Sequence, residues 1–328
     1  MKAAFIGFRH GHIVGLYNRL KDDPQCEIVA ACEEDPKAAA EAKENWGIDI
    51  THSSFSDLLA DADFDILAIG DYFGIRGSRA IAGLKAGKHV IADKPLCTSL
   101  EELAEIRSLA SEKKLAVGLM LDFRNHGNVA AAKEIIDSGR LGEIHAIQFG
   151  GQHPLSYGTR AAWYFEEGKQ GGTINDIAIH GLDAIEYMTG HAVTELTAAR
   201  TWNAFADQAP KFMDAAQIMF ALDNHCGVIA DVSYFAPEKC GFNNPFYWRF
   251  TVWGRKGVME FNYFDDGVKL CLSGAKEPEF IEPARGKSDY LTIFMNEIAG
   301  KEEPFGGRHI MDVTEKTLLL QKKADQQQ

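Results

Sequence analysis

An α/β chain in two parts is predicted: a doubly wound parallel sheet over residues 1–121, then an α+β part over 122–328 with a largely antiparallel open sheet. Three features of the sequence predict this. Short apolar runs alternate with segments of helical period from Ala3 to Leu121. From 193 to 273 strand patterns follow one another with no helix between them. Between these stretches lies an apolar segment, opened by the pair Gly171-Gly172, that carries titratable residues at helical spacing.

Residues 3–6 form the first apolar run, ending at Gly7 and the polar loop Phe8-Arg9-His10-Gly11-His12. Ile13, Leu16, Tyr17 and Leu20 then recur on one helix face. Glu27–Cys32 reads as the second strand, closed by Glu33-Glu34-Asp35-Pro36. Pro36 suits the first turn of the alanine-rich helix that follows, where its fixed φ is already helical. Further strands are expected at 48–51, 65–69, 90–92 and 115–121, with helices at 55–60, 75–86 and 99–113. The last of these starts well, with Thr98-Ser99 to cap it and Glu101-Glu102 at the positive end of its dipole.

Beyond Asp122 a helix over 127–138 is closed by Ser138-Gly139. The strand 144–150 and an irregular stretch through Trp163-Tyr164-Phe165 lead to the glycine pair and a helix over 174–189. Strands are expected at 193–202, 213–222, 225–235, 247–254, 257–263 and 268–273, with turns at Asp223-Asn224 and Asp265-Asp266-Gly267. A closing helix over 309–323 precedes a polar tail.

Composition narrows the function. The 34 basic residues against 47 acidic give a net charge of −13, which argues against nucleic acid and anionic membrane surfaces as partners. Six cysteines form no C-x-x-C pair, so they suggest reduced thiols rather than a zinc site or disulfide framework. No apolar run has the length of a membrane span, and Ala3–Gly7 is too short for a signal core, so a soluble cytoplasmic protein is expected.

Chemistry concentrates in two places. If 174–189 is one α-helix, Asp176, His180 and Asp183 stand at i, i+4 and i+7 on one face, an arrangement suited to proton transfer. Asp176 near the helix start also suits capping, His180 a core histidine, and Asp183 a structural role above all. Asp93-Lys94-Pro95 follows the strand 90–92, so Lys94 falls at the carboxyl end of the sheet, where open α/β folds bind ligands. The turn after the first strand has Gly7 in place for a dinucleotide fingerprint, but Arg9 and His12 occupy the second and third glycine positions and Gly11 comes one place early. Arg9 favours a diphosphate, and Glu33 stands where a carboxylate would meet ribose hydroxyls, or equally a solvated acidic loop. His10, His12 and His153 give no clear ligand set, so no metal is expected.

Taken together, Gly7, Glu33, the block Ala86-Gly87-Lys88-His89-Val90-Ile91-Ala92-Asp93-Lys94-Pro95 and Gly171-Gly172…Asp176…His180…Asp183 resemble the glucose–fructose oxidoreductase and inositol dehydrogenase family. Ser138-Gly139-Arg140-Leu141-Gly142-Glu143-Ile144 and Gly254-Arg255-Lys256-Gly257 extend the resemblance over nearly the whole chain. It implies an N-terminal Rossmann domain and nicotinamide-dependent oxidation of a secondary alcohol in a sugar, polyol or cyclitol. By the same resemblance Lys94, Asp176 and His180 are catalytic. Gly7, Arg9, Gly11, His12, Glu33, Asp71, Tyr72 and Lys94 face the cofactor, NAD before NADP. Arg124, His153, Trp163 and Tyr164 are the substrate-pocket candidates.

The chain departs from the family pattern at Gly70-Asp71-Tyr72-Phe73-Gly74-Ile75-Arg76, where an alanine-threonine-proline-asparagine run and a histidine are usual, and at Asp93, usually glutamate. Net non-redox sugar chemistry on recycled NAD, or a cofactor-binding protein without turnover, therefore stand as alternatives. A homodimer or homotetramer is expected, paired through an apolar sheet face carrying Phe220, Val228, Ala230, Val232 and Tyr234.

Overall fold

The structure, a computed structural model, describes residues 1–326 and divides into two compact units. The first comprises Met1–Met120, Ala161–Gly171 and Tyr290–Met311; the second comprises Leu121–Arg160, Gly172–Asp289 and from Asp312 onward. One cut falls between Met120 and Leu121. The two later segments of the first unit were not legible as such.

In the first unit, β1 (Lys2–Ile6), β2 (Glu27–Cys32), β3 (Ile66–Ile69), β4 (His89–Ala92) and β5 (Val117–Leu119) form an all-parallel sheet in the order β2-β1-β3-β4-β5. Helices α1 (His12–Asp22), α2 (Pro36–Trp46), α3 (Phe55–Asp61), α4 (Phe73–Lys85) and α5 (Leu100–Lys113) join the strands. Their start signals act as expected. The Asp35 side chain caps α2, with Pro36 in its first turn, and Ser99 accepts from the Glu102 N–H at the start of α5. The strand expected at 48–51 is a correction: only a single parallel bridge, Cys32 to His52, lies beside β2. There the Thr51 hydroxyl bonds both the N–H and the carbonyl of Ala31, each at 3.0 Å, and the Thr51 and His52 N–H groups both donate to that same carbonyl, so the pairing does not step along as a regular ladder. With that bridge included, the order becomes that of a dinucleotide-binding sheet.

A helix at Tyr290–Ile298, absent from the sequence reading, belongs to this unit. Tyr290, Leu291 and Phe294 join Phe5, Ile66 and Ile91 in its core. A Cβ on Gly118 in β5 would stand 2.7 Å from the Phe294 ring, so glycine is what lets that helix approach the sheet.

The second unit is an eight-stranded sheet: β6 (Ile144–Pro154), β7 (Val193–Trp202), β8 (Ala215–Leu222), β9 (Gly227–Ala236), β10 (Trp248–Gly254), β11 (Gly257–Asn262), β12 (Val268–Leu272) and β13 (Glu279–Ile281). The order is β13-β12-β11-β10-β6-β9-β8-β7, and every neighbouring pair is antiparallel except β6–β9. Helices α6 (Gly127–Asp137) and α7 (Ile179–Thr189) belong to the same unit, and every residue of α7 is buried. A Cβ on Gly181 of α7 would fall 2.5 Å from Cζ of Phe149 on β6, which fixes how closely the helix lies on the strand.

The apolar face assigned to subunit pairing is corrected by this arrangement. Phe220, Val228, Ala230, Val232 and Tyr234 are all buried within the chain. Strand alternation instead sends Met219 and Ile229 outward, about half exposed, beside Gln217 and Asp231. Among the described residues, no helix is long and apolar enough to cross a membrane. The closing helix runs from Gly307 to Asp325, and the last two glutamines of the expected tail lie outside the described residues.

Candidate active site

In the first unit, the turn after β1 is set by Gly7, whose φ of +80° is in the region that favours glycine. A Cβ there would lie 2.5 Å from the Asp71 Cα. Gly70 makes a second close approach that the sequence reading missed, since its Cβ would strike Ile13 of α1 at 2.5 Å. Gly11 has ordinary dihedrals and open space around its Cβ position. Helix α1 starts there with no side-chain cap. A bare glycine cradle followed by an uncapped helix start fits the diphosphate of a dinucleotide.

Glu33 is buried at the end of β2 and ties the turn together. Its carboxylate accepts from the Phe8 N–H at 2.8 Å, the Asp35 N–H at 2.8 Å, and Arg9 through Nε and Nη2 at 3.1 and 3.0 Å. Arg9 also lies 3.5 Å from Asp71 and over the Tyr72 ring. Burial pushes the Asp71 carboxyl above its ordinary range, against the pull of Arg9. Arg9, Glu33, Asp71 and Tyr72 are thus one polar cluster around the turn.

The two departures from the family pattern meet each other. Arg76, fully buried on α4, donates from Nε to the Asp71 carbonyl at 2.7 Å and from Nη1 to the Asp93 and Lys94 carbonyls at 2.8 and 2.5 Å. Its Nη2 reaches the Asp93 carboxylate at 3.0 Å. Lys94 is itself buried, preceding a cis proline, with Nζ 5.7 Å from the centre of the Phe73 ring. Asp93 also hydrogen-bonds His10 Nδ1, and the Tyr164 hydroxyl meets His10 Nε2 at 3.0 Å. Burial works to raise the Asp93 carboxyl, but His10 and Arg76 outweigh it and hold it well below the ordinary range.

Trp163 and Tyr164, expected at the substrate pocket, pack within the first unit. They stack on each other at 4.2 Å and edge-on against Phe73 at 4.9 and 5.3 Å, and Trp163 Nε1 donates to the Arg9 carbonyl. Both are buried, and the contacts they make here are those of core side chains.

In the second unit, which resumes at Gly172, that glycine (like Gly171 before it) has positive φ and leads into a π-helical turn, Ile174–Ala178, before α7 begins at Ile179. The regular spacing assumed for Asp176 and His180 is therefore corrected: the wide turn displaces Asp176 from the register of α7. Gln321 of the closing helix accepts from the Ile174 N–H at 3.1 Å, and Thr317 donates to Asn175 at 3.1 Å. Asp176 is 2% exposed and accepts a hydrogen bond from the Tyr234 hydroxyl of β9, a partner the sequence hid among apolar positions. His180 packs edge-on against Trp248 at 5.4 Å, and His153 borders Tyr247 and Trp248 at 4.8 and 5.5 Å. Tyr247 and Trp248 were likewise missed.

Arg124, another pocket candidate, is buried in this unit, with Nη1 2.5 Å from Asp183. Of the three histidines set aside as ligands, His153 lies in the second unit. His10 and His12 stand within ligand reach of Asp93 in the first.

Two family models match the chain: "Oxidoreductase family, NAD-binding Rossmann fold" over residues 1–121 and "GFO/IDH/MocA C-terminal domain" over 129–260. A 1-carboxy-3-chloro-3,4-dihydroxycyclohexa-1,5-diene dehydrogenase of Comamonas testosteroni is 28% identical over 215 residues, 65% of this chain and 52% of that protein. A levoglucosan dehydrogenase of Pseudarthrobacter phenanthrenivorans is 28% identical over 184 residues, 55% of this chain and 46% of its own length. The chain thus spans about half the length of these relatives. Among solved structures, a levoglucosan dehydrogenase with NADH and L-sorbose superposes at a TM-score of 0.79, with 21% identity, 99% of this chain and 97% of that one. An aldose-aldose oxidoreductase from Caulobacter crescentus complexed with glycerol gives 0.77, with 18% identity, 100% of this chain and 98% of that one. At these identities the two structures are similar in fold.

Proposed function

From the premise that this chain belongs to the GFO/IDH/MocA oxidoreductase family, with an NAD-binding Rossmann domain, we propose that it oxidises a secondary alcohol of a sugar, polyol or cyclitol. The observation that carries the proposal is the glycine pair and π-turn that hold Asp176 beside the start of α7, with the Tyr234 hydroxyl donating to its carboxylate. A π-turn costs regular helix bonding, and such turns recur where a side chain must be aimed for function.

Bound NAD supplies the hydride acceptor. His180 takes the proton from the substrate hydroxyl as hydride leaves the same carbon. Lys94 donates a hydrogen bond to that oxygen and favours its developing negative charge. Asp176, fixed by Tyr234, orients the substrate and the imidazole. Glu33 places an anion at the end of β2, which disfavours a 2′-phosphate and selects NAD over NADP. His153, lined by Tyr247 and Trp248, borders the substrate.

The test uses Lys94→Met and His180→Asn against a panel of sugars and cyclitols. Both variants should fold and bind NAD, while single-turnover hydride transfer falls by a factor on the order of 10² or more. A folded His180→Asn protein with wild-type transfer would overturn the proposal. Product without net NADH would point instead to recycled cofactor.

A further inference from the structure

His10, His12 and Asp93 offer two imidazole nitrogens and a carboxylate oxygen, all within 4.8 Å of one another. All three belong to the first unit: His10 in the turn after β1, His12 at the first residue of α1, and Asp93 at the end of β4. The two rings stand edge-on, 4.3 Å apart. The Asp93 side chain is completely buried, and its two oxygens are treated differently. Oδ2 is engaged by His10 Nδ1 and by Arg76 Nη2. Oδ1 has no hydrogen bond of normal geometry; its neighbour is His12 Nδ1, an ion-pair partner 3.5 Å away that helps hold the carboxyl low.

A buried carboxylate oxygen left without a donor costs about 1–3 kcal/mol, more when charged, so its neighbour at 3.5 Å calls for an explanation. That distance is too long for a strong charge-assisted hydrogen bond. It is close to the edge of a zinc tetrahedron, about 3.4 Å for bonds of about 2.0–2.1 Å. We propose that His10, His12 and Asp93 bind one divalent transition cation of the zinc class, through both Nδ1 atoms and Asp93 Oδ1.

The surroundings suit this ligand. His10 Nδ1 exchanges its hydrogen bond to Oδ2 for the cation, Arg76 keeps Oδ2, and the cation sits on Oδ1. When Nδ1 binds the cation the ring proton resides on Nε2, where the Tyr164 hydroxyl oxygen accepts its hydrogen bond and so fixes the tautomer. His12 is 59% exposed, so the site opens to solvent on that side and keeps a coordination position for water. Imidazole donors suit zinc, copper, iron or nickel ions rather than calcium or magnesium. The inference stands on the first unit alone and does not depend on the proposed dehydrogenase chemistry.

Chelator-treated, dinucleotide-free protein is titrated with Co²⁺ alone, followed by visible d–d absorption and by calorimetry. One Co²⁺ per chain is expected, displaced by Zn²⁺. His12→Ala, at an exposed position that leaves the core intact, should weaken binding about 100-fold, since even outer-shell losses cost 10–100-fold. His12→Cys should restore binding and add a thiolate-to-cobalt charge-transfer band. His191→Ala, which removes an exposed histidine beside Asp223, is the control for surface binding. No saturable Co²⁺ band, binding unchanged in His12→Ala, or binding lost in His191→Ala would each overturn the proposal.

Discussion

Replacing Arg124 by methionine removes a guanidinium 2.5 Å from Asp183, where the side chains are 1% and 0% exposed. Water reaches neither charge, so the variant leaves a buried carboxylate without its guanidinium partner. Breaking such a pair from one side costs about 3–5 kcal/mol, because the surviving charge keeps its desolvation penalty without the compensating attraction. Asp183→Leu should cost a similar amount from the other side. Arg124→Met/Asp183→Leu removes both charges and should stand within about 1–2 kcal/mol of the wild type, a non-additivity of several kcal/mol. Urea unfolding of the four proteins at pH 7, followed by circular dichroism, measures this. Additive losses, or single-variant losses below about 1 kcal/mol, would refute the buried-pair reading. A raised KM at unchanged stability in Arg124→Met would return Arg124 to the substrate pocket.

Gly7→Ala should destabilise the first unit by at least about 1–2 kcal/mol from the left-handed backbone alone, before the contact with Asp71, and should weaken NAD binding by fluorescence titration. Wild-type melting and affinity would refute the role given to that turn. Tyr234→Phe removes the donor to a buried carboxylate and should cost about 1.5–3 kcal/mol in thermal unfolding; a change below about 0.5 kcal/mol counts against the contact. Burial pushes the Cys32 and Cys97 thiols up to about 12, so at pH 8 only about one in ten thousand is thiolate. Iodoacetamide at pH 8 should spare both and alkylate the part-exposed Cys240, with mass spectrometry as the readout. Rapid labelling of Cys97 in folded protein would contradict its burial.

Much of this molecule was written in local pattern. Alternating apolar runs and capped helices marked the parallel sheet because each crossover helix must bury one stripe against it, and that leaves a period in the chain. Asp35-Pro36 and Ser99 acted as helix starts because capping depends on residues only three or four positions apart. Failures came where distant partners decided. The strand at 48–51 shrank to a single bridge where the Thr51 hydroxyl and two successive N–H groups converge on Ala31. The π-turn at 174–178 leaves no signature in apolar periodicity, so Asp176 and His180 read as neighbours on one regular face. The helix at Tyr290–Ile298 is only nine residues long, too short a window for a helical period to stand out.

The sequence by itself determined which residue types were available for chemistry, the alternation that makes a parallel sheet, and the glycine at the end of β1. Tertiary structure decided what those groups face. It turned Arg124 inward to Asp183, packed Trp163 and Tyr164 on Phe73, buried the apolar stripe of β8 and β9, and set Tyr234 on Asp176. It also joined His10 and His12 to Asp93, more than eighty residues away in the chain. The physical reason is one of range. Propensity and capping act over a few residues and are written into local order, whereas ion pairs, ligand sets and buried hydrogen bonds form between segments that only the folded chain brings together.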